Sequence, residues 1–380
     1  MKRNLPGKFV VLPKTQTILS CENQLCWRDA ASGTIKKTWE LTHPSGTFAF
    51  RVFDCSVDGE WLCLAGGYND PKTNRMTGIY PVKYLLEDDL IRTPYVESNH
   101  LFRYLEDREA SPSSDSGYVA CYEGEATLMV RAPTASVFAT IVGFPSGKQS
   151  LVVTTRSPDT LYLRASDEWM VDTPYNPHDA ITALAISDNG VTITGSNTGR
   201  VCIWDSEHLL KKAYLHDLAY GCGISAVAVS SDGCLVGVGL ANGSFSVLKL
   251  CGQHYQSVFQ TPTSSGYVIQ QIIFSPDAKN FLIINGLDII SVYSTECIVR
   301  ELRRDILLKG PITDIAWVNQ KTILITQKHR VLLLDIYQGI VFEKRNVNHE
   351  VFYAKPLGTD KIVVLTQARD EVIRVETLCL

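Results

Sequence analysis

Six short apolar segments superpose along this sequence: Phe50–Ser56, Phe138–Phe144, Ile181–Ser187, Ile224–Ser230, Ile269–Ser275 and Ile312–Val318. Their last residues are separated by 88, 43, 43, 45 and 43 positions, and 88 is two steps of 44. A unit of that length holds about four short strands and cannot bury both faces of its own sheet, so neighbouring units must cover one another. The period predicts a further unit ending near residue 100, where His100–Glu106 falls. It also predicts outer members at Lys8–Lys14 and Val351–Leu357.

The content of each unit fits that length. A turn follows the first segment, as in Ser56–Glu60, Ser187–Gly190, Ser230–Gly233 and Ser275–Lys279. Asp and Asn brace such turns through side-chain bonds to the backbone, and Gly supplies positive φ. A second strand comes next (Val191–Ser196, Cys234–Leu240, Asn280–Gly286), then a tight turn and a third (Arg200–Asp205, Ser244–Leu250, Ile289–Ser294, Arg330–Asp335). The fourth, such as His208–Leu215, carries more charge and suits an outer edge. Short, evenly spaced, β-branched strands predict an all-β chain. Tyr84–Ile91 is the one stretch that reads equally as helix or strand.

Stacking such sheets in a ring, as one domain over residues 1–380, leaves only short exposed edges. Nine starts are counted, but the last unit holds three strands (351–357, 361–366, 371–377). An N-terminal strand completing that last sheet would latch the ring. Eight blades follow, with seven as the alternative.

At the residues His178-Asp179 and Trp204-Asp205, with 26 positions from His178 to Trp204, the chain resembles the WD-repeat family of β-propellers. Trp27 in Leu25–Gly33 is a weaker echo. The resemblance implies a structural network of His178, Thr194, Trp204 and Asp205, but Thr198 stands where the family has a turn Asp. At the Trp position later units carry Leu248, Tyr293, Leu334 and Val375. Apolar replacements keep the packing, each burying area worth about 1.5–3 kcal/mol. Replacing a whole polar network together is nearly neutral, whereas leaving it half satisfied is costly.

The chain holds 36 basic and 40 acidic side chains, which gives no excess of positive charge for a nucleic-acid backbone. Any nucleic-acid role is therefore indirect. Its 11 cysteines are scattered through apolar runs, the pattern of a reducing cytosol or nucleus rather than of a disulfide-linked partner. The apolar run near the N-terminus is short and broken by Pro, which predicts neither a signal peptide nor membrane insertion.

Catalytic and cofactor motifs are not found. Gly237–Gly243 has glycines at the first, third and seventh places, which reads as strand plus hairpin rather than a dinucleotide loop. The sequon Asn242-Gly243-Ser244 reads as the same turn. No Cys-x-x-Cys pair occurs, and Cys21 and Cys26 have no partner pair at zinc spacing. No cofactor and no metal are expected. Ser206 and Glu207 follow Trp204-Asp205, where relatives that dock on cullin adaptors carry Arg.

The departures from the repeat are insertions. One is the turn at 68–78; the other is the atypical segment 83–118, whose tail Ala110–Ser116 is rich in Ser and Pro. It interleaves Tyr84, Tyr95, Phe102 and Tyr104 with Asp88, Asp89, Glu106 and Asp107. The segment reads either as a solvated loop or as a docking elaboration, since aromatics anchor interfaces and loops on stiff scaffolds carry function. The expected function is a non-catalytic scaffold binding other proteins within a larger intracellular complex. The alternatives are an enzyme with an axial site, and a non-catalytic subunit of an RNA-processing or modification assembly. The last requires the basic clusters 34–39, 209–212 and 300–309 to share one face.

Overall fold

The computed structural model describes residues 9–12, 17–21, 25–39, 42–43, 46–55, 61–68, 75–81, 120–123, 125–133, 138–143, 149–157, 160–163, 180–204, 214–217, 222–252, 254–261, 266–286, 288–295, 304–346, 350–356, 361–367 and 373–379. Among these residues there is no helix. The strands form eight antiparallel sheets, each a meander whose spatial order follows the chain.

Strands β1–β13 lie in one compact unit. Its first sheet is β1 (Phe9–Leu12), β2 (Thr17–Cys21), β3 (Leu25–Asp29) and β4 (Ile35–Trp39). The second is β5 (Thr42–His43), β6 (Gly46–Cys55), β7 (Trp61–Tyr68), β8 (Arg75–Pro81) and β9 (Ala120–Glu123). The third is β10 (Glu125–Arg131), β11 (Phe138–Gly143), β12 (Gln149–Ser157) and β13 (Thr160–Leu163). Val10, Leu12, Ile18, Leu19, Ile141 and Leu151 are buried in it.

Strands β14–β32 lie in a second compact unit. Its sheets begin with β14 (Ile181–Ile186), β15 (Thr192–Ser196), β16 (Arg200–Trp204) and β17 (Tyr214–Asp217). Next come β18 (Ile224–Val229), β19 (Leu235–Leu240), β20 (Phe245–Cys251) and β21 (His254–Gln260). The sheet of β22 (Ile269–Phe274), β23 (Asn280–Asn285), β24 (Ile289–Ser294) and β25 (Arg304–Leu307) follows. The last two are β26 (Ile312–Trp317), β27 (Thr322–Gln327), β28 (Arg330–Asp335) and β29 (Ile340–Asn346), then β30 (Glu350–Pro356), β31 (Lys361–Gln367) and β32 (Ile373–Cys379).

Successive sheets of this unit pack face to face through apolar clusters. Ile193, Ile203 and Val201 meet Ile224, Val236 and Val238; Phe245 and Val247 meet Ile269, Phe274 and Phe281. Ile284 and Ile290 meet Ile312, Ile323 and Ile325, and Leu324 and Leu333 meet Val351 and Val364. The approach is closest at two glycines on second strands. A Cβ on Gly195 would lie 2.4 Å from Ile224 Cγ2, and one on Gly239 would lie 2.6 Å from Ile269 Cγ2. Each glycine admits the first residue of the next sheet's leading strand.

A β-bulge lies near the start of the first-to-second strand pair in six sheets, skipping Thr127, Thr182, Ser225, Gln270, Thr313 and Phe352, and in the β6–β7 pair of the five-stranded sheet, skipping Arg51. In two sheets the extra residue's hydroxyl donates to a carbonyl of the second strand, Ser225 to Gly239 (3.3 Å) and Thr313 to Thr326 (2.9 Å), whereas Thr182 donates to Ile224 O of the next sheet (2.6 Å). The disturbed ladder is thus partly re-satisfied by the residue that disturbs it.

The bulge also corrects the division of the first unit. Phe138–Phe144, expected as a leading strand, supplies β11, a second strand; the leading strand is β10, which carries the bulge between Ala126 and Leu128. The gap of 88 positions therefore does not hold two units. β8 pairs directly with β9, so residues 82–119 lie in the chain between the fourth and fifth strands of one enlarged, five-stranded sheet. Strands of the two kinds share one apolar alternation, and the even divisor of 88 disguised the insertion. At the N-terminus β1 pairs with β2 in its own sheet, and residues 1–8 lie outside the described ones.

Candidate interaction surface

The motif that carries the WD-repeat resemblance sits on β15 and β16. Register places Trp204 opposite Thr192, and the indole Nε1 of Trp204 donates to Thr194 Oγ1 at 3.1 Å. The next turn is capped by Ser196, whose Oγ lies 3.0 Å from Thr198 Oγ1 and accepts from the Arg200 amide at 3.2 Å. His178 and Asp205 lie outside the described residues. Equivalent register positions hold Leu248, Tyr293 and Leu334, and in the last sheet Leu378, opposite Ile362, rather than Val375. Tyr293 stacks on Phe281 with ring centroids 5.0 Å apart. Trp27 Nε1 is buried without an acceptor, while Lys36 Nζ lies 5.6 Å from its ring and 2.9 Å from Asp29 Oδ2. Register puts Cys21 two residues on from Leu19, the residue opposite Trp27, where the better-formed sheet has Thr194.

One end of the second unit is built by first-to-second strand turns of shared design. Ser187 Oγ donates to Asn189 Oδ1, Ser230 Oγ to Asp232 Oδ1 and Ser275 Oγ to Asp277 Oδ1. Burial pushes the Asp232 carboxyl up, but hydrogen bonds from Ser230 and the Cys234 amide outweigh it and leave the group below its ordinary value. Asp277 is lowered by the same balance, with Ser275 and the Lys279 amide as donors. Adjacent turns are tied together. The Asp188 amide donates to Ser231 O at 3.0 Å and Asn189 Nδ2 to Asp232 O at 3.0 Å, while Asn280 Nδ2 reaches Tyr337 Oη at 3.1 Å. Tyr337 and Ile340 are exposed beside this end.

The other end, between the sheets of β22–β25 and β26–β29, has a different character. Tyr267, Val268 and Leu307 are 58%, 46% and 73% exposed, high values for large apolar side chains. Their backbones are held: Gly286 N donates to Val268 O (3.1 Å) and Leu308 N to Asp288 O (2.9 Å). The Tyr267 ring lies over Gly286, 3.4 Å from a Cβ built there. The run continues to the β27–β28 turn. Gln327 Nε2 donates to Gly310 O at 2.5 Å, the Arg330 guanidinium donates to Lys309 O, and Val351 N donates to Lys328 O at 2.7 Å. Lys309 therefore stands beside Lys328, His329 and Arg330. The sequence reading missed this group because 18 residues separate Lys309 from Lys328. The signal was available in the repeat itself: the connection entering a sheet and its second-to-third turn always share an end.

The docking residues expected from sequence, Tyr84, Tyr95, Phe102, Tyr104, Asp88, Asp89, Glu106 and Asp107, all lie outside the described residues, as do 69–74. Of the described residues that flank these stretches, Tyr68 and Arg75 lie at one end of the β6–β9 meander and Pro81 and Ala120 at the other. Residues 209–212 and 300–303 of the basic clusters also lie outside. Among the described residues no group of three His, Cys, Asp or Glu could hold a metal ion. Cys26, Cys202, Cys222, Cys234 and Cys251 are in no disulfide, and no described helix is long and apolar enough to cross a membrane.

No family model matches the chain, and no curated protein matches it. Solved structures do. The chain is similar to Sqt1 from Chaetomium thermophilum, with a TM-score of 0.64 at 15% identity over 98% of this chain and 94% of that one. The crystal structure of that fungal Sqt1 bound to the N-terminus of the ribosomal protein L10 aligns at 0.61 and 14%, covering 98% and 96%. A chain of a mitotic checkpoint complex aligns at 0.52 and 11%, covering 99% and 91%. The fold is therefore the all-β fold of the WD-repeat β-propellers.

Proposed function

We propose that this chain is a non-catalytic platform for protein–protein interaction, a subunit of a larger assembly in the cytosol or nucleus, built as an eight-bladed ring. One observation carries the reading: Tyr267, Val268 and Leu307 are exposed at a sheet end whose backbone is hydrogen-bonded from Val268 through Asp288 to Lys309. Large apolar side chains held out on stiff backbone lose little entropy when a partner covers them. The likeness to a propeller solved with a ribosomal-protein terminus bound supports the same reading. Eight sheets support eight blades, with an N-terminal strand completing the last, three-stranded sheet as the proposed closure. The network around Trp204 is completed by His178 and Asp205, and segment 83–118 is a second docking element through Tyr84, Tyr95, Phe102 and Tyr104.

The test is affinity purification of the tagged chain, with and without residues 84–117, read by mass spectrometry after nuclease treatment. Protein partners that survive nuclease, some of them lost on deletion, are the expected result. Partners lost wholly to nuclease would overturn the reading in favour of nucleic-acid association.

A further inference from the structure

From the run Tyr267–Val268, Asp288, Leu307, Lys309 and Lys328–Arg330, and resting on the scaffold reading above, we infer that this sheet end binds an extended protein segment that places acidic residues beside an apolar one. The run is continuous: Val268 is tied to Gly286, Asp288 to Leu308, Lys309 to Arg330 and Lys328 to Val351. It is apolar at one side, through Tyr267, Val268 and Leu307, and cationic at the other, through Lys309, Lys328 and Arg330. An apolar anchor flanked by carboxylates matches both halves, burying the first and pairing with the second.

Charge also selects the class of partner. A phosphate backbone needs a long track of cations, and here the carboxylate of Asp288 lies within the run while exposed Asp305 stands two residues from Leu307. Asp305 accepts from Ser291 Oγ at 2.6 Å, which fixes its charge in place beside the apolar side. A nucleic acid would have to pass these carboxylates and would leave Leu307 and Val268 uncovered. A peptide can set its apolar residue against Leu307 and Val268 and its carboxylates against Lys309 and Lys328. The Arg330 guanidinium donates to Lys309 O, so it holds the loop as well as adding charge.

Random dodecapeptides displayed on phage and selected on the immobilised full chain test this directly. Enriched sequences should carry Asp or Glu next to Leu, Ile, Phe or Tyr. A Lys309→Glu/Lys328→Glu chain and a Leu307→Asp chain should each bind those peptides at least about tenfold more weakly, with unchanged melting temperatures. A Tyr337→Ser chain, altered at the opposite end, should bind them normally. Lys- or Arg-rich winners, no enrichment, or binding of a uridine 15-mer lost with the same substitutions would overturn the assignment. Acidic winners that bind the charge-reversed and Leu307→Asp chains unchanged would overturn this surface while leaving the scaffold reading intact.

Discussion

The indole of Trp204 donates to the hydroxyl of Thr194 at 3.1 Å across the hairpin of β15 and β16, and Thr194 is fully buried. In the following three sheets the same register position is apolar or aromatic, with Leu248, Tyr293 and Leu334. One hydrogen bond and three packing solutions thus serve one place in the repeat.

Removing only the acceptor should be the costly change. Thr194→Val removes the hydroxyl that accepts from the indole N–H and should destabilise the chain by about 1–3 kcal/mol. Adding Trp204→Phe to it should recover part of that loss, because both polar partners are then gone. Urea unfolding of the two single variants and the double variant measures the coupling.

Gly195→Ala should destabilise by about 1–3 kcal/mol, since the new Cβ would sit 2.4 Å from Ile224 Cγ2 and 2.9 Å from its Cβ. Ile224→Ala in the same chain should relieve part of the overpacking. Independent, additive losses in thermal melts would contradict the close approach of those two sheets.

Ala278 occupies the turn position held by Gly190 and Gly233 in the two preceding sheets, at φ 54° against 84° and 72°. An L side chain there costs about 1–2 kcal/mol, so Ala278→Gly should raise the melting temperature. No change, or a fall, would contradict the turn geometry.

Acid should weaken the Asp232 turn. Its folded value lies below the unfolded one, so its contribution is complete above roughly pH 4 and fades as pH falls through the folded value. Asp232→Asn should therefore be less stable than the parent at neutral pH, with the gap closing below about pH 4. A gap that is constant with pH would remove the charge of Asp232 as its cause.

These elements also show how much the sequence told. The second unit was legible because Ser187, Ser230 and Ser275 each begin a turn braced two residues on, at Asn189, Asp232 and Asp277. The first unit was not. Phe138–Gly143 alternates as a leading strand does, and nothing local to it distinguishes a second strand; only its pairing with bulged β10 does. The basic and apolar sheet end was hidden for another reason. Tyr267, Leu307 and Lys328 belong to three different stretches of chain, and proximity among them comes from sheet stacking that composition does not encode.

The central claim, that this chain works by holding other proteins, is met most directly by sedimentation of the endogenous protein in nuclease-treated lysate. The account predicts a stable particle well above the mass of one chain, shifted downward when residues 84–117 are deleted or when Lys309 and Lys328 are reversed to Glu. Sedimentation as a lone chain in every case would contradict it.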